Sequence, residues 1–276
     1  MRDRPIGVFD SGIGGLTVVG ALQKILPQEE IVYFGDTAHV PYGTKSREII
    51  KKFSLHNARF LMKFNIKLLI VACNSSSAVA LPELKRRFSV PVLGVIEPIV
   101  EKTVQICRGK IGVIATPATI ESGIYQRTIR KFSRRENKNV EISTQECPLF
   151  VPLAEEGWLE NKISEQIAQR YLGFLKNKID ILILGCTHYP LLRKVIKKAV
   201  GKRVILIDSA SETAKKAREI LKERNLLAAY PPPRRSEVNK KGKIRFYVSD
   251  SPQRFKKLGK NFLQKGIGRV ECIKLE

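Results

Sequence analysis

Short apolar blocks alternate with longer segments in which apolar residues recur at helical spacing, and this alternation organises the chain. Ile6–Phe9, Ile31–Phe34, Leu68–Ala72 and Val92–Val95 read as strands, with helices predicted over Thr17–Leu26, Ser46–Phe64 and Ala78–Phe88. Near-continuous apolar strands of this kind belong to parallel sheets covered on both faces. The pattern then restarts: Ile111-Gly112-Val113-Ile114-Ala115-Thr116-Pro117 echoes Ile6-Gly7-Val8-Phe9-Asp10-Ser11-Gly12. Helix Thr119–Phe132, strand Val140–Ser143, a polar loop, helix Ile163–Lys176, strand Ile181–Gly185, helix Leu191–Val200 and strand Val204–Ile207 follow. Helix Ser211–Asn225, a proline-rich basic loop Tyr230–Lys243, strand Ile244–Val248, helix Gln253–Phe262 and strand Val270–Leu275 complete the chain.

This repetition predicts an α/β fold of two similar doubly wound (Rossmann-like or flavodoxin-like) parallel-sheet domains, facing each other across a site with pseudo-twofold symmetry. The last elements are expected to return to the first half, giving domains 1–97 plus 208–276 and 98–207.

Two of the predicted strands end in a thiol. Leu68–Ala72 runs into Cys73-Asn74-Ser75, and Ile181–Gly185 runs into Cys186-Thr187-His188. Ligands of open parallel sheets bind beyond the carboxyl ends of the strands, so the two cysteines read as opposite walls of one site. A thiolate on one face of a carbon acid can take its proton while a thiol on the other face returns one, which inverts the carbon. Helix starts and positive neighbours favour the thiolate form, and both cysteines precede predicted helices. Asp10 and His188 are the groups placed to tune them; Ser11, Asn74, Ser75 and Thr187 can hold polar groups of a substrate. The turn Asp10-Ser11-Gly12-Ile13-Gly14-Gly15 fits neither the dinucleotide fingerprint nor the lysine-bearing phosphate loop.

Composition narrows the partners. Five cysteines, an odd count without paired spacing, argue for free thiols rather than a disulfide framework. Cys107, Cys147 and Cys272, like His39 and His56, lack chemically suggestive neighbours and are expected to be structural. Clustered zinc spacing is missing, so no metal is expected. The formal net charge of +24 makes nucleic acid, an acidic membrane surface and anionic substrates conceivable partners. The charges of residues 201–276 fall between periodic apolar positions and form no unbroken tail, which favours a solvated basic face over a nucleic-acid site. No apolar run approaches a membrane span, and the charged start Met1-Arg2-Asp3-Arg4 leads into a strand rather than a signal peptide, so a cytoplasmic protein without membrane insertion is expected.

Taken jointly, Asp10-Ser11-Gly12-Ile13-Gly14-Gly15-Leu16, Val40-Pro41-Tyr42-Gly43, Ala72-Cys73-Asn74-Ser75, Cys147-Pro148-Leu149-Phe150-Val151-Pro152-Leu153 with Glu155-Glu156-Gly157, Gly185-Cys186-Thr187-His188-Tyr189-Pro190 and Phe246-Tyr247-Val248-Ser249-Asp250 resemble the glutamate racemase family of cofactor-independent aspartate/glutamate racemases. The motifs span nearly the whole chain in the family's order. The resemblance implies Cys73 and Cys186 as the acid/base thiols, assisted by Asp10, His188 and one carboxylate of the Glu155-Glu156 pair, with Glu155 the candidate. It implies substrate contacts from Asp10, Ser11, Tyr42, Gly43, Asn74, Ser75, Thr187 and His188. It further implies L- and D-glutamate as substrates, no cofactor, a homodimer and a role in supplying D-glutamate for peptidoglycan. Position 75 departs from the family, being Ser where Thr is usual; the hydroxyl survives. Aspartate and hydantoin racemases carry the same two thiols and are the nearest alternatives, with Pro41-Tyr42-Gly43 favouring glutamate. A basic nucleic-acid-binding protein on a degenerate enzyme fold is the alternative of another class, and the intact thiols at both strand ends speak against it.

Overall fold

The computed structural model describes residues 2–228 and 242–274. Strands β1 (Ile6–Asp10), β2 (Ile31–Gly35), β3 (Leu68–Val71) and β4 (Val92–Gly94) are connected through helices α1 (Leu16–Ile25), α2 (Arg47–Met62) and the consecutive pair α3 (Asn74–Val79) and α4 (Leu81–Arg87). They lie parallel in the order β2-β1-β3-β4. The second series, β5 (Lys110–Ala115), β6 (Glu141–Glu146), β7 (Ile181–Gly185) and β8 (Ile205–Asp208), repeats that order as β6-β5-β7-β8, again all parallel. Its helices are α5 (Ile96–Ile106), α6 (Pro117–Glu121), α7 (Ile124–Arg135), α8 (Phe150–Glu155), α9 (Lys162–Leu172) and α10 (Arg193–Val200). Helix α11 (Ser209–Glu223) then leads the chain back, and β9 (Ile244–Val248), α12 (Pro252–Leu263) and β10 (Val270–Cys272) extend the first sheet beyond β2. The duplication read from the apolar pattern is therefore a duplication of sheet topology.

Alternation along each strand sorts its side chains onto two packed faces. In β3, Leu68 and Ile70 join one hydrophobic cluster and Leu69 and Val71 another. In β7, Ile181 and Ile183 join the first of these clusters, whereas Leu182 and Leu184 pack into a third. One core is thus shared by both sheets, and each sheet has a further core of its own.

Several local readings are corrected. Helix Ile96–Ile106 was not expected; its buried Ile96, Ile99, Val100, Thr103 and Val104 recur at helical spacing, but the β-branched residues and Pro98 mask that signal. The polar loop after β6 contains α8, which begins three residues after Cys147. The helix expected from Ala78 starts at Asn74, immediately after Cys73, and breaks at Ala80. The expected helix through Lys176 ends at Leu172, where a single 3-10 turn takes over. Most of the Tyr230–Lys243 loop, and Leu275 at the end of the last expected strand, lie outside the described residues.

Candidate active site

In each sheet the strand order reverses between the first and third strands of the repeat, β1 and β3 in one and β5 and β7 in the other. A crevice opens at the carboxyl ends of strands at such a switch point. Asp10 ends β1, Cys73 follows β3, Thr116 follows β5 and Cys186 follows β7. The two crevices face one another and enclose a cavity of about 20 Å3. Both thiols line it. From the first half come Ser11, Tyr42, Gly43, Asn74 and Ser75; from the second, Thr187 and His188. Every expected substrate contact except Asp10 is therefore on the wall. Asp10 stands behind it, fully buried.

The Cys73 side is built around Asp10. Its Oδ1 accepts from the Gly15 amide at 3.0 Å and from the Thr187 hydroxyl, across the crevice, at 3.5 Å. Burial raises the Asp10 pKa, while the charge of His188 and the hydrogen bonds from Gly15, Ser11 and Thr187 pull it down. Cys73 Sγ lies 3.7 Å from Ser11 Oγ. Burial first, and the Asp10 charge second, push the Cys73 thiol up to about 11. Two polar atoms in this region, Asp10 Oδ2 and Asn74 Nδ2, are buried without a hydrogen-bond partner.

The Cys186 side carries a chain of three groups. Cys186 Sγ is 3.9 Å from His188 Nδ1, and His188 Nε2 is 3.1 Å from Glu155 Oε1. Burial alone would lower the His188 pKa; hydrogen bonds and charge from Cys186 and Glu155 outweigh it and raise the value to about 10. For Glu155, burial acts upward, but His188 and Arg254 hold the carboxyl below its ordinary value. Of the two adjacent glutamates, Glu155 faces His188, whereas Glu156 is exposed and reaches Arg254.

Further contacts bring the halves close. Ser75 Oγ lies 3.0 Å from Thr116 Oγ1 and 3.3 Å from Thr119 Oγ1, so the hydroxyl retained at position 75 binds across the crevice. Gly14 approaches the opposite wall so nearly that an added Cβ would lie 2.1 Å from Thr187 Oγ1 and 2.9 Å from His188 Nδ1. The Pro41-Tyr42-Gly43 segment, whose Val40–Pro41 peptide is cis, is anchored through Tyr42: its hydroxyl donates to Asp36 Oδ2 at 2.5 Å and accepts from Asn57 at 2.9 Å. Asp36 also binds His39 and Ser249.

Several of these residues escaped the sequence reading. Thr116 was within reach, because the internal echo aligns it with Ser11. Val151, noted in the sequence only as part of a motif, lines the cavity from the unexpected α8. Tyr125, whose hydroxyl donates to Asn74 Oδ1 at 2.7 Å, acts through a partner distant in sequence, whereas Asp36 acts through Tyr42, six residues further along. Cys147 is buried, and Tyr189 donates to its carbonyl; Cys107 is buried and Cys272 exposed.

The sequence model of the Asp/Glu/Hydantoin racemase family matches residues 16–217. The glutamate racemase of Geobacter metallireducens is 46% identical over 275 residues, covering 99% of this chain and 97% of that protein. That of Chlorobaculum tepidum is 46% identical over 274 residues, covering 98% and 96%. The crystal structure of Francisella tularensis glutamate racemase in complex with D-glutamate superposes with a TM-score of 0.89 at 41% identity, covering 100% of this chain and 99% of that one.

Proposed function

The chain belongs to the Asp/Glu/Hydantoin racemase family, and on that premise we propose that it interconverts L- and D-glutamate by proton transfer between two cysteines. The observation that carries this reading is the placement of Cys73 and Cys186 on one enclosed cavity, each at the switch point of its own sheet. Cys186 as thiolate takes the α-proton of L-glutamate, with the His188 imidazolium as its counter-charge. Cys73, resting as the thiol, gives a proton to the opposite face, leaving D-glutamate, a Cys186 thiol and a Cys73 thiolate. The reverse reaction exchanges the roles, and the substrate's ammonium offsets the Asp10 charge that disfavours a thiolate at Cys73.

An amino acid suits the buried atoms left unpaired. Asp10 Oδ2 is an acceptor suited to an ammonium, and Asn74 Nδ2 a donor suited to a carboxylate. Ser11, Ser75 and Thr187 add hydroxyls on both walls. The cavity has room for about one water molecule, so residues 1–97 plus 208–276 and residues 98–207 act as two bodies that part to admit substrate and close on it. The proposed setting follows the family: a cytoplasmic homodimer supplying D-glutamate for peptidoglycan. Among the described residues, no helix is long and apolar enough to cross a membrane.

The test is an assay of purified protein, dialysed against a chelator and free of pyridoxal absorbance. It should convert either enantiomer of glutamate to the racemate. Racemisation of aspartate with none of glutamate would replace glutamate by aspartate in this account.

A further inference from the structure

Helix α12 belongs to the sheet that carries Cys73, yet it touches the apparatus of the other thiol at two points. Arg254, on its first turn, reaches Glu155 Oε2 at 3.6 Å. Phe262, on its last turn, meets the His188 ring edge-on with centroids 5.2 Å apart. Glu155 is therefore held at both oxygens: one by His188 from its own half, the other by Arg254 from the opposite half. We propose that Arg254 is a positioning residue for proton transfer at Cys186, acting across the crevice through Glu155 and His188.

The physical case rests on the order of the chain Arg254–Glu155–His188–Cys186. A carboxylate that is only half-bound can rotate; with Arg254 on Oε2, Oε1 stays aimed at His188 Nε2, and the ring then presents Nδ1 to the sulfur. Arg254 lies 60% exposed and touches neither the cavity nor a thiol, whereas His188 is buried. Because Arg254 and Glu155 stand on different halves, this bond completes the Cys186 side only when the halves are closed. Glu156 shares the guanidinium at 3.5 Å but reaches no group on the cavity wall. The sequence singles out the paired glutamates, with Glu155 the candidate; Arg254 accounts for the pair, with the inner carboxylate positioning His188 and the outer one steadying the arginine.

The inference rests on the two-thiol reading, and its test separates the two. Arg254→Gln removes the charge at an exposed position, so the fold is retained. An exposed ion pair of this kind should lower kcat/KM about two- to five-fold. The enantiomers have equal free energy, so kcat/KM falls equally in both directions, and the face at which the barrier rose is read from α-deuterium isotope effects. Impaired transfer at Cys186 makes that step more rate-limiting: the effect should rise with α-deuterated L-glutamate and fall toward unity with the D-isomer. Arg254→Lys, which keeps the charge, should restore much of the wild-type pattern. A wild-type enzyme active on glutamate, with a variant whose isotope effects are unchanged or altered equally for both isomers, would overturn the role of Arg254 alone. A wild-type enzyme inactive on glutamate would overturn the underlying reading as well.

Discussion

At His188 two partners oppose burial. A buried imidazole ordinarily loses its proton, but Cys186 and Glu155 raise its pKa from 6.5 to about 10. The consequence for stability has a definite sign. Below about 6.5, the proton is bound in folded and unfolded chains alike, and the interactions of the imidazolium stabilise the fold fully. As pH rises through about 10 the folded state loses that proton and the contribution with it. Replacing His188 by Asn should therefore lower Tm at pH 7 by about 5 °C, the effect of about 2 kcal/mol from hydrogen bonds to a charged group. The gap between variant and wild type should narrow as pH approaches 10, measured by calorimetry across pH 6 to 10; a constant gap would place the loss in packing alone. The sequence named His188 and Cys186 because they stand two apart at a strand end. Glu155 was named over Glu156 on the family resemblance and not on residue chemistry, since neighbours on one helix end differ only in the direction each side chain takes. Tyr125 was less legible still, because it acts through Asn74, a residue brought near by the fold.

Strand ends set the site, and the turns after them set how closely its walls approach. The turn from β1 to α1 puts Gly14 against Thr187 and His188, leaving no space for a side chain. Forcing a methyl group into such a contact costs about 1–3 kcal/mol. Gly14→Ala should therefore reduce kcat/KM by about 5- to 150-fold, because the cost falls on closure. Tm should change little, since the strained contact lies between halves and not inside either sheet. A variant with wild-type kinetics would show that this approach does not govern catalysis. At this scale the strands were the most legible elements, for a strand covered on both faces must be apolar throughout. The helices beside the cavity were less so: α3 is short and rich in serine, and α8 holds a central proline, so neither offers the amphipathic repeat that marks a longer helix.

The molecule as a whole is two copies of one strand order, each contributing one sulfur. Such an arrangement suits a reaction that must run equally well from either face of a carbon. The surroundings of the two thiols nevertheless differ, Cys73 beside a buried carboxylate and Cys186 beside a histidine, so the symmetry is one of scaffold and not of electrostatics. The topology was readable because the apolar pattern itself repeats; the closure of the crevice was not, because it depends on contacts such as Ser75 with Thr116 that join distant segments. Basic residues lie on helices of both halves, among them Lys131, Lys194, Lys198 and Lys215 in exposed ion pairs. That distribution fits a solvated surface.

The central claim is that both thiols act in every turnover, one on each face. Cys73→Ser and Cys186→Ser should each reduce racemisation by at least about 100-fold, the contribution of a positioned acid or base. Each variant should keep the half of the chemistry its remaining thiol performs, read as elimination from a glutamate analogue with a leaving group on its β-carbon. Cys73→Ser should then act on the L-isomer through Cys186, and Cys186→Ser on the D-isomer through Cys73. Racemisation at the wild-type rate by either variant, in protein shown by mass spectrometry to carry the serine throughout, would contradict the two-thiol account.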